Sequence, residues 1–126
     1  MNFKNKKILV VVAHPDDELL GLGATMYKLI NIYNCKIRVV ILGEGITSRS
    51  DFRDTKKWRQ ELKIHKDNIQ QASKSIGYDS VGIYDFPDNR FDTVPLLDII
   101  KVIEKEKNKY RPDIIFTHHG GDLNID

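Results

Sequence analysis

Five consecutive residues, His14-Pro15-Asp16-Asp17-Glu18, gather one imidazole and three carboxylates directly behind a short apolar run. Imidazole nitrogen and carboxylate oxygen at about 2 Å are the donors a zinc ion takes, and a hydrolytic site keeps one position open for water. His14 and Asp17, three residues apart across a strand-to-helix turn, could converge on one ion and leave Asp16 between them free as a base. Pro15 stiffens that turn by fixing its own backbone angle. The competing reading is helix capping, in which Asp16 and Asp17 meet unpaired backbone N–H groups and the positive end of a helix dipole. Capping accounts for an acid here but not for the whole His-Pro-Asp-Asp-Glu string.

These residues need elements to hold them. Apolar runs rich in β-branched residues occur at Ile8 to Ala13, Ile37 to Leu42, Val81 to Phe86 and Ile114 to Thr117, separated by longer stretches of helical character. Such alternation predicts an α/β fold: a three-layer, Rossmann-like domain with a mainly parallel sheet, and strands covered on both faces. Leu19, Leu22, Met26, Leu29, Ile30 and Tyr33 fall at helical spacing, which predicts a crossover helix from Glu18 to about Tyr33. A polar helix is expected over Lys56 to Ile76 with Gly77 as its cap, and Trp58, like Tyr27 and Tyr33, is read as helix packing. A third helix, Pro95 to Tyr110, is expected to bury Leu96, Leu97, Ile99, Ile100 and Ile103, with the charged run Glu104 to Lys109 solvated. Ligands in open parallel sheets bind beyond the carboxyl ends of the strands. That rule gathers His14 to Glu18, Gly43 to Arg53, Pro87 to Asp92 and His118 to Asp126 at one edge.

Composition narrows the possibilities. The 126 residues, 40% of them apolar, suffice for one domain, residues 1–126, with a real core. Twenty Lys and Arg against 18 Asp and Glu leave a net charge of +2, too little to suggest nucleic acid as a partner. No apolar stretch approaches the roughly 20 residues of a membrane span. The lone Cys35 fits a reducing compartment, so the cytoplasm is the expected location. Gly21-Leu22-Gly23 lacks the third glycine of a dinucleotide-binding turn. There is no Walker-type lysine, no Gly-x-Ser-x-Gly elbow and no cysteine pair.

The segment Ala13-His14-Pro15-Asp16-Asp17-Glu18 closely resembles the hallmark of the LmbE-like, or PIG-L, superfamily of zinc-dependent de-N-acetylases. Three later stretches add to the resemblance, in order along the chain. Gly43-Glu44-Gly45 with Arg49 resembles the loop after the family's second strand, and Phe86-Pro87-Asp88-Asn89-Arg90-Phe91-Asp92 the loop after the third. Thr117-His118-His119-Gly120-Gly121-Asp122-Leu123-Asn124-Ile125-Asp126 resembles the second metal motif.

The resemblance implies a hydrolase that removes the acetyl group from an N-acetylglucosamine-type conjugate. His14 and Asp17 would bind Zn2+, and Asp16 would be the general base for the attacking water. Several relatives carry histidine where Asn124 stands. Asparagine cannot shuttle a proton but can donate a hydrogen bond to a developing oxyanion. Arg49, Asp88, Asn89 and His118 are the candidates for substrate binding. Arg49 and Arg90 suit anions or hydroxyls, Asp88 and Asn89 suit sugar hydroxyls or simply a turn, and which of His118 and His119 faces the cleft stays open. His65 is read as a surface residue; it and Asn68 stand where many members carry Arg and Glu. The partner implied is a small N-acetyl sugar or glycoconjugate, with a homo-oligomer left open.

The family's third zinc ligand is a histidine directly after the aspartate matching Asp126, where this chain stops. The expectation is therefore a fragment or truncated product that holds zinc weakly, with Asp126 frayed and unable to orient anything. An inactive sugar- or metal-binding remnant is the alternative to an active deacetylase.

Overall fold

In the computed structural model, which describes residues 2–126, the four apolar runs become strands β1 (Lys7–Val12), β2 (Lys36–Gly43), β3 (Ser80–Phe86) and β4 (Ile114–Phe116). They alternate with helices α1 (Asp17–Asn31), α2 (Arg59–Ile76) and α3 (Leu96–Tyr110). Every pairing among the described residues is parallel, and the sheet order is β3-β2-β1-β4. The expected α/β class with a parallel sheet is the observed one.

Successive strand residues point to opposite faces, and here each face has a cover. Ile8, Val10 and Val12 join Ile37, Val39 and Ile41 beneath Met26 and Leu29 of α1 and Ile69 of α2. Leu9 and Val11, with Val40 and Leu42, face the other way toward Phe91 and Tyr110, where Ile99, Val102 and Ile103 of α3 pack. Burying one such side chain contributes about 1.5–3 kcal/mol, against roughly 0–1 kcal/mol for an exposed ion pair. The two central strands therefore anchor whatever is built at their ends.

Several expectations from periodicity need correction. The outer strands are only partly covered, and Ile115 of β4 is 45% exposed. On α3, Leu96, Leu97 and Ile100 are exposed rather than buried. The inward stripe runs instead through Ile99, Val102, Ile103, Glu106 and Tyr110, because Glu106 is drawn in by Arg38 of β2. The run Glu104 to Lys109 is thus not wholly solvated. Tyr27 is also exposed. The indole N–H of Trp58, just before α2, donates to Ser50 Oγ and pins the preceding loop. Helix α2 starts later than Lys56 because the Asp54 carboxylate accepts the N–H groups of Lys56 and Lys57 in a turn. It ends as expected at Gly77, whose φ of 94° is left-handed.

The connections β1-α1-β2-α2-β3 advance along one side of the sheet, with both helices on one face, and α3 then crosses the other face to place β4 beside β1. The direction of travel reverses between β1 and β4. At such a switch point a crevice opens beyond the strand ends, and here it receives His14 and His118. Among the described residues no helix is long and apolar enough to cross a membrane.

Candidate functional site

Beyond β1 the chain turns sharply into α1. Asp16 sits at φ 83°, a left-handed angle that few residues other than glycine adopt, although aspartate is among the more tolerant. Its carbonyl accepts the N–H groups of Leu19 and Leu20, but its exposed carboxylate makes no capping bond. Capping is therefore not what this side chain does. The Asp17 carboxylate bends back to accept the His14 N–H at 2.9 Å, which brings Asp17 Oδ2 to 3.6 Å from His14 Nδ1.

The opposite edge of the His14 ring meets two further carboxylates. Nε2 lies 2.8 Å from Asp126 Oδ2 and 3.3 Å from Asp88 Oδ1. His14, Asp88 and Asp126 have potential ligand atoms within 4.8 Å of one another and form a group that could hold a metal ion. Asp88 is buried in the loop after β3, where Ser48 N–H donates to its Oδ2 at 3.1 Å and Asn89 Nδ2 to its Oδ1 at 3.3 Å.

The Asp126 side chain, far from frayed, is 0% exposed. Its Oδ1 accepts Phe91 N–H at 2.8 Å and its Oδ2 accepts Asn89 N–H at 2.5 Å. The expectation that Asp126 could orient nothing fails because the β3 loop offers it two main-chain donors. Asn124 reinforces the same joint: its Nδ2 donates to Asn89 Oδ1 at 3.0 Å and its Oδ1 accepts Asp126 N–H at 2.9 Å.

His118 stands across the crevice. Its Nε2 accepts the Ala13 N–H at 2.9 Å and lies 3.4 Å from Asp17 Oδ2. Since a backbone N–H can only donate, that nitrogen's lone pair is already in use. His14, Asp17, His118, Asp122, Asn124 and Asp126 line a small polar hollow of about 70 Å³. Beside it, sharing Ala13, His118 and Asp126, lies an apolar hollow of about 490 Å³ walled by Leu42, Phe91, Leu96 and Ile99.

Of the residues singled out from sequence, His14, Asp17, Asp88, Asn89, His118 and Asn124 are thus brought together around the crevice. Asp16 is adjacent in the chain but not in the wall of the polar hollow. Arg49 is exposed and lines a separate hollow with Ser50, Phe52 and Lys57, while Arg90 donates to Asp51 O at 3.0 Å.

Periodicity and motif matching gave no individual site role to three residues, Glu18, Arg53 and His65. Glu18 is 1% exposed, neither of its carboxylate oxygens is hydrogen-bonded among the described residues, and burial raises its carboxyl above its ordinary value. Arg53 grips the buried Glu44 carboxylate through Nε at 2.9 Å and Nη2 at 2.8 Å, while Thr47 Oγ1 donates to it at 2.7 Å. The hydrogen bond with Glu44 holds the Arg53 guanidinium above its ordinary value. His65 is not a plain surface residue: its Nδ1 is buried without a partner among the described residues, and it lines a hollow of about 290 Å³ with Glu44, Arg53 and Pro15. The signal for His65 was present, because Leu62, His65 and Ile69 form one helical stripe. Nothing local marked Arg53.

Solved structures that share this fold include the following three. The conserved protein TT1542 of Thermus thermophilus is 24% identical, with a TM-score of 0.70 over 94% of this chain and 49% of its own. An N,N'-diacetylchitobiose deacetylase of Pyrococcus horikoshii, complexed with an inhibitor, is 19% identical with a TM-score of 0.76, over 95% of this chain and 44% of its own. GalB, the 4-carboxy-2-hydroxymuconate hydratase of Pseudomonas putida, is 19% identical with a TM-score of 0.70, over 94% and 50%. At these identities the likeness speaks to the fold, and the chain spans about half the length of each. Comparison with curated protein sequences gives no match. The family model for GlcNAc-PI de-N-acetylase, PIG-L, matches residues 9–126, from β1 through the Asp126 that meets His14, and the chain belongs to that family.

Proposed function

We propose that this chain carries the metal-binding and proton-transfer residues of a zinc-dependent hydrolase that removes acetyl from an N-acetylglucosamine-type sugar conjugate. The observation that carries the reading is the meeting at His14 of carboxylates from three separate segments: Asp17 at the start of α1, Asp88 after β3 and Asp126 after β4. The deacetylase activity of the Pyrococcus neighbour and the family match support it.

The donor chemistry suits zinc. His14 Nδ1 makes no hydrogen bond among the described residues and faces Asp17 Oδ2, giving one imidazole nitrogen and one carboxylate oxygen for the ion. When bound there, zinc would polarise the acetamide carbonyl and make water a better nucleophile near neutral pH. Asp16, with a carboxylate free of any cap, would take the proton from the attacking water and pass it to the departing amine. Asn124 has an amide N–H that can turn from Asn89 toward a developing oxyanion. Asp88 beside the ring of His14, Asn89 beside Asp126, and His118 beside Asp17 would hold the sugar hydroxyls. Arg49, in its separate hollow, would reach only a part of the conjugate away from the acetamide.

A second reading, a metal- or sugar-binding protein without turnover, draws on one observation. The Nε2 lone pair of His118 is engaged by Ala13, so His14 and Asp17 lack a free imidazole beside them. Zinc titration together with acetate release from N-acetylglucosamine conjugates separates the two. Equimolar zinc with acetate release supports the hydrolase; zinc without acetate supports the second reading; no zinc binding overturns both metal assignments.

A further inference from the structure

We propose that Asp126 is a positioning residue: it locks the His14 ring in the tautomer with the proton on Nε2, leaving Nδ1 as the nitrogen available to a metal ion beside Asp17. This rests on the reading of His14 and Asp17 as a metal pair, but its central claim concerns a ring proton and can be read with no metal present.

The geometry leaves Nε2 no other role. It lies 2.8 Å from Asp126 Oδ2 and 3.3 Å from Asp88 Oδ1, so a lone pair there would face two acceptor oxygens and no donor. Both oxygens of the Asp126 carboxylate accept main-chain N–H groups, from Phe91 and Asn89, so every partner of that carboxylate in the loop after β3 meets it as an acceptor. An acceptor so engaged calls for N–H on the ring. Of the two carboxylates, Asp126 is the one at hydrogen-bonding distance.

The opposite edge of the ring has the complementary character. Nδ1 stands 3.6 Å from Asp17 Oδ2, outside hydrogen-bonding range. Its lone pair is therefore uncommitted. One consequence separates two clusters that look alike by distance. The group His14, Asp88 and Asp126, although its atoms lie within 4.8 Å, is held together by a ring proton and orients the ligand. The ion belongs on the far edge, with Asp17. Histidines that hold metals commonly donate their other ring N–H in this way, and removing the acceptor weakens binding by about 10- to 100-fold.

The ring also has little freedom to turn. Its centroid lies 6.1 Å from that of Phe91, whose own N–H is one of the two donors to Asp126. Asp126 is itself tied to Asn124 and Asn89. The orientation of His14 is thus referred to the loop after β3, a different element from the one that carries it.

The experiment is a long-range 1H–15N correlation of the histidine rings in metal-free protein, recorded where the ring is neutral, with zinc titration in parallel. Wild-type protein should show His14 with Nε2 protonated; a proton on Nδ1, or an even mixture, overturns the proposal whatever any variant does. In Asp126→Ala the preference should disappear and zinc affinity should fall by about 10- to 100-fold; an unchanged tautomer overturns the role of Asp126. Asp17→Ala should lose zinc yet keep the Nε2 proton, and loss of that tautomer counts against the proposal. Wild-type protein with the expected tautomer but no zinc affinity would leave the positioning intact and sink the functional reading instead.

Discussion

Arg38 of β2 and Glu106 of α3 meet through two hydrogen bonds, Nε to Oε2 at 2.7 Å and Nη2 to Oε1 at 3.1 Å, with both side chains largely buried. Tyr84 Oη donates to the same carboxylate at 2.6 Å, and Ser80 Oγ accepts Arg38 Nη1 at 3.0 Å. The cluster ties α3 to β2 and β3.

Removing one partner of such a pair strands the other charge. Glu106→Gln should cost about 3 kcal/mol, roughly 10 °C in Tm for a chain of this size. The effect should depend on pH. The hydrogen bond from Arg38, aided by Tyr84, holds the Glu106 carboxyl below its ordinary value of 4.5. A depressed folded value means that the stabilisation is present above the unfolded value and lost as pH falls through the folded one. Thermal unfolding of both proteins should show the gap widest near pH 7 and narrowing below about pH 4; a gap constant with pH would deny the ionic contribution.

Gly43 closes β2 where β1 ends. A Cβ there would lie 2.8 Å from Ala13 O and 3.2 Å from the Phe91 ring, while Gly43 N–H already donates to that same oxygen at 2.7 Å. Gly43→Ala should destabilise by about 1–3 kcal/mol in denaturant titration. Because Ala13 precedes His14 and Phe91 supports Asp126, zinc binding should weaken as well. Unchanged stability would mean that β1 and β2 part more easily than their core packing implies.

Asp16 and Asp17 should separate cleanly on substitution. Asp16→Asn should retain zinc and lose about 10² to 10⁴ in acetate release, whereas Asp17→Ala should lose the metal. Zinc loss in Asp16→Asn would make Asp16 a ligand and leave the base unassigned.

His118 tests whether a second imidazole completes the metal set. Its Nε2 already accepts Ala13 N–H, so His118→Ala should change zinc affinity by less than about tenfold, below the 10- to 100-fold lost when a residue that orients a metal ligand is removed. A fall to the level of Asp17→Ala would show that Ala13 releases the ring when metal arrives.

Much of this protein could be read from local spacing. The β-branched runs determined the strands, helical spacing determined α1 and the existence of α2 and α3, and His14-Pro15-Asp16-Asp17-Glu18 after β1 marked where to look for the candidate site. These features depend on neighbours a few residues apart, which is the range over which side-chain period and backbone geometry are coupled. Tertiary structure decided what depends on partners far along the chain. Glu106 lies in a charged run and reads as solvated, yet Arg38, 68 residues away, draws it inward and shifts the buried stripe of α3. Asp126 reads as a loose end, yet His14, 112 residues earlier, and two N–H groups of the β3 loop bury its carboxylate. Whether a polar side chain is buried follows from whether a partner waits there to satisfy it, and only the packing of α3 over β2 and of β4 beside β1 brings those partners within reach.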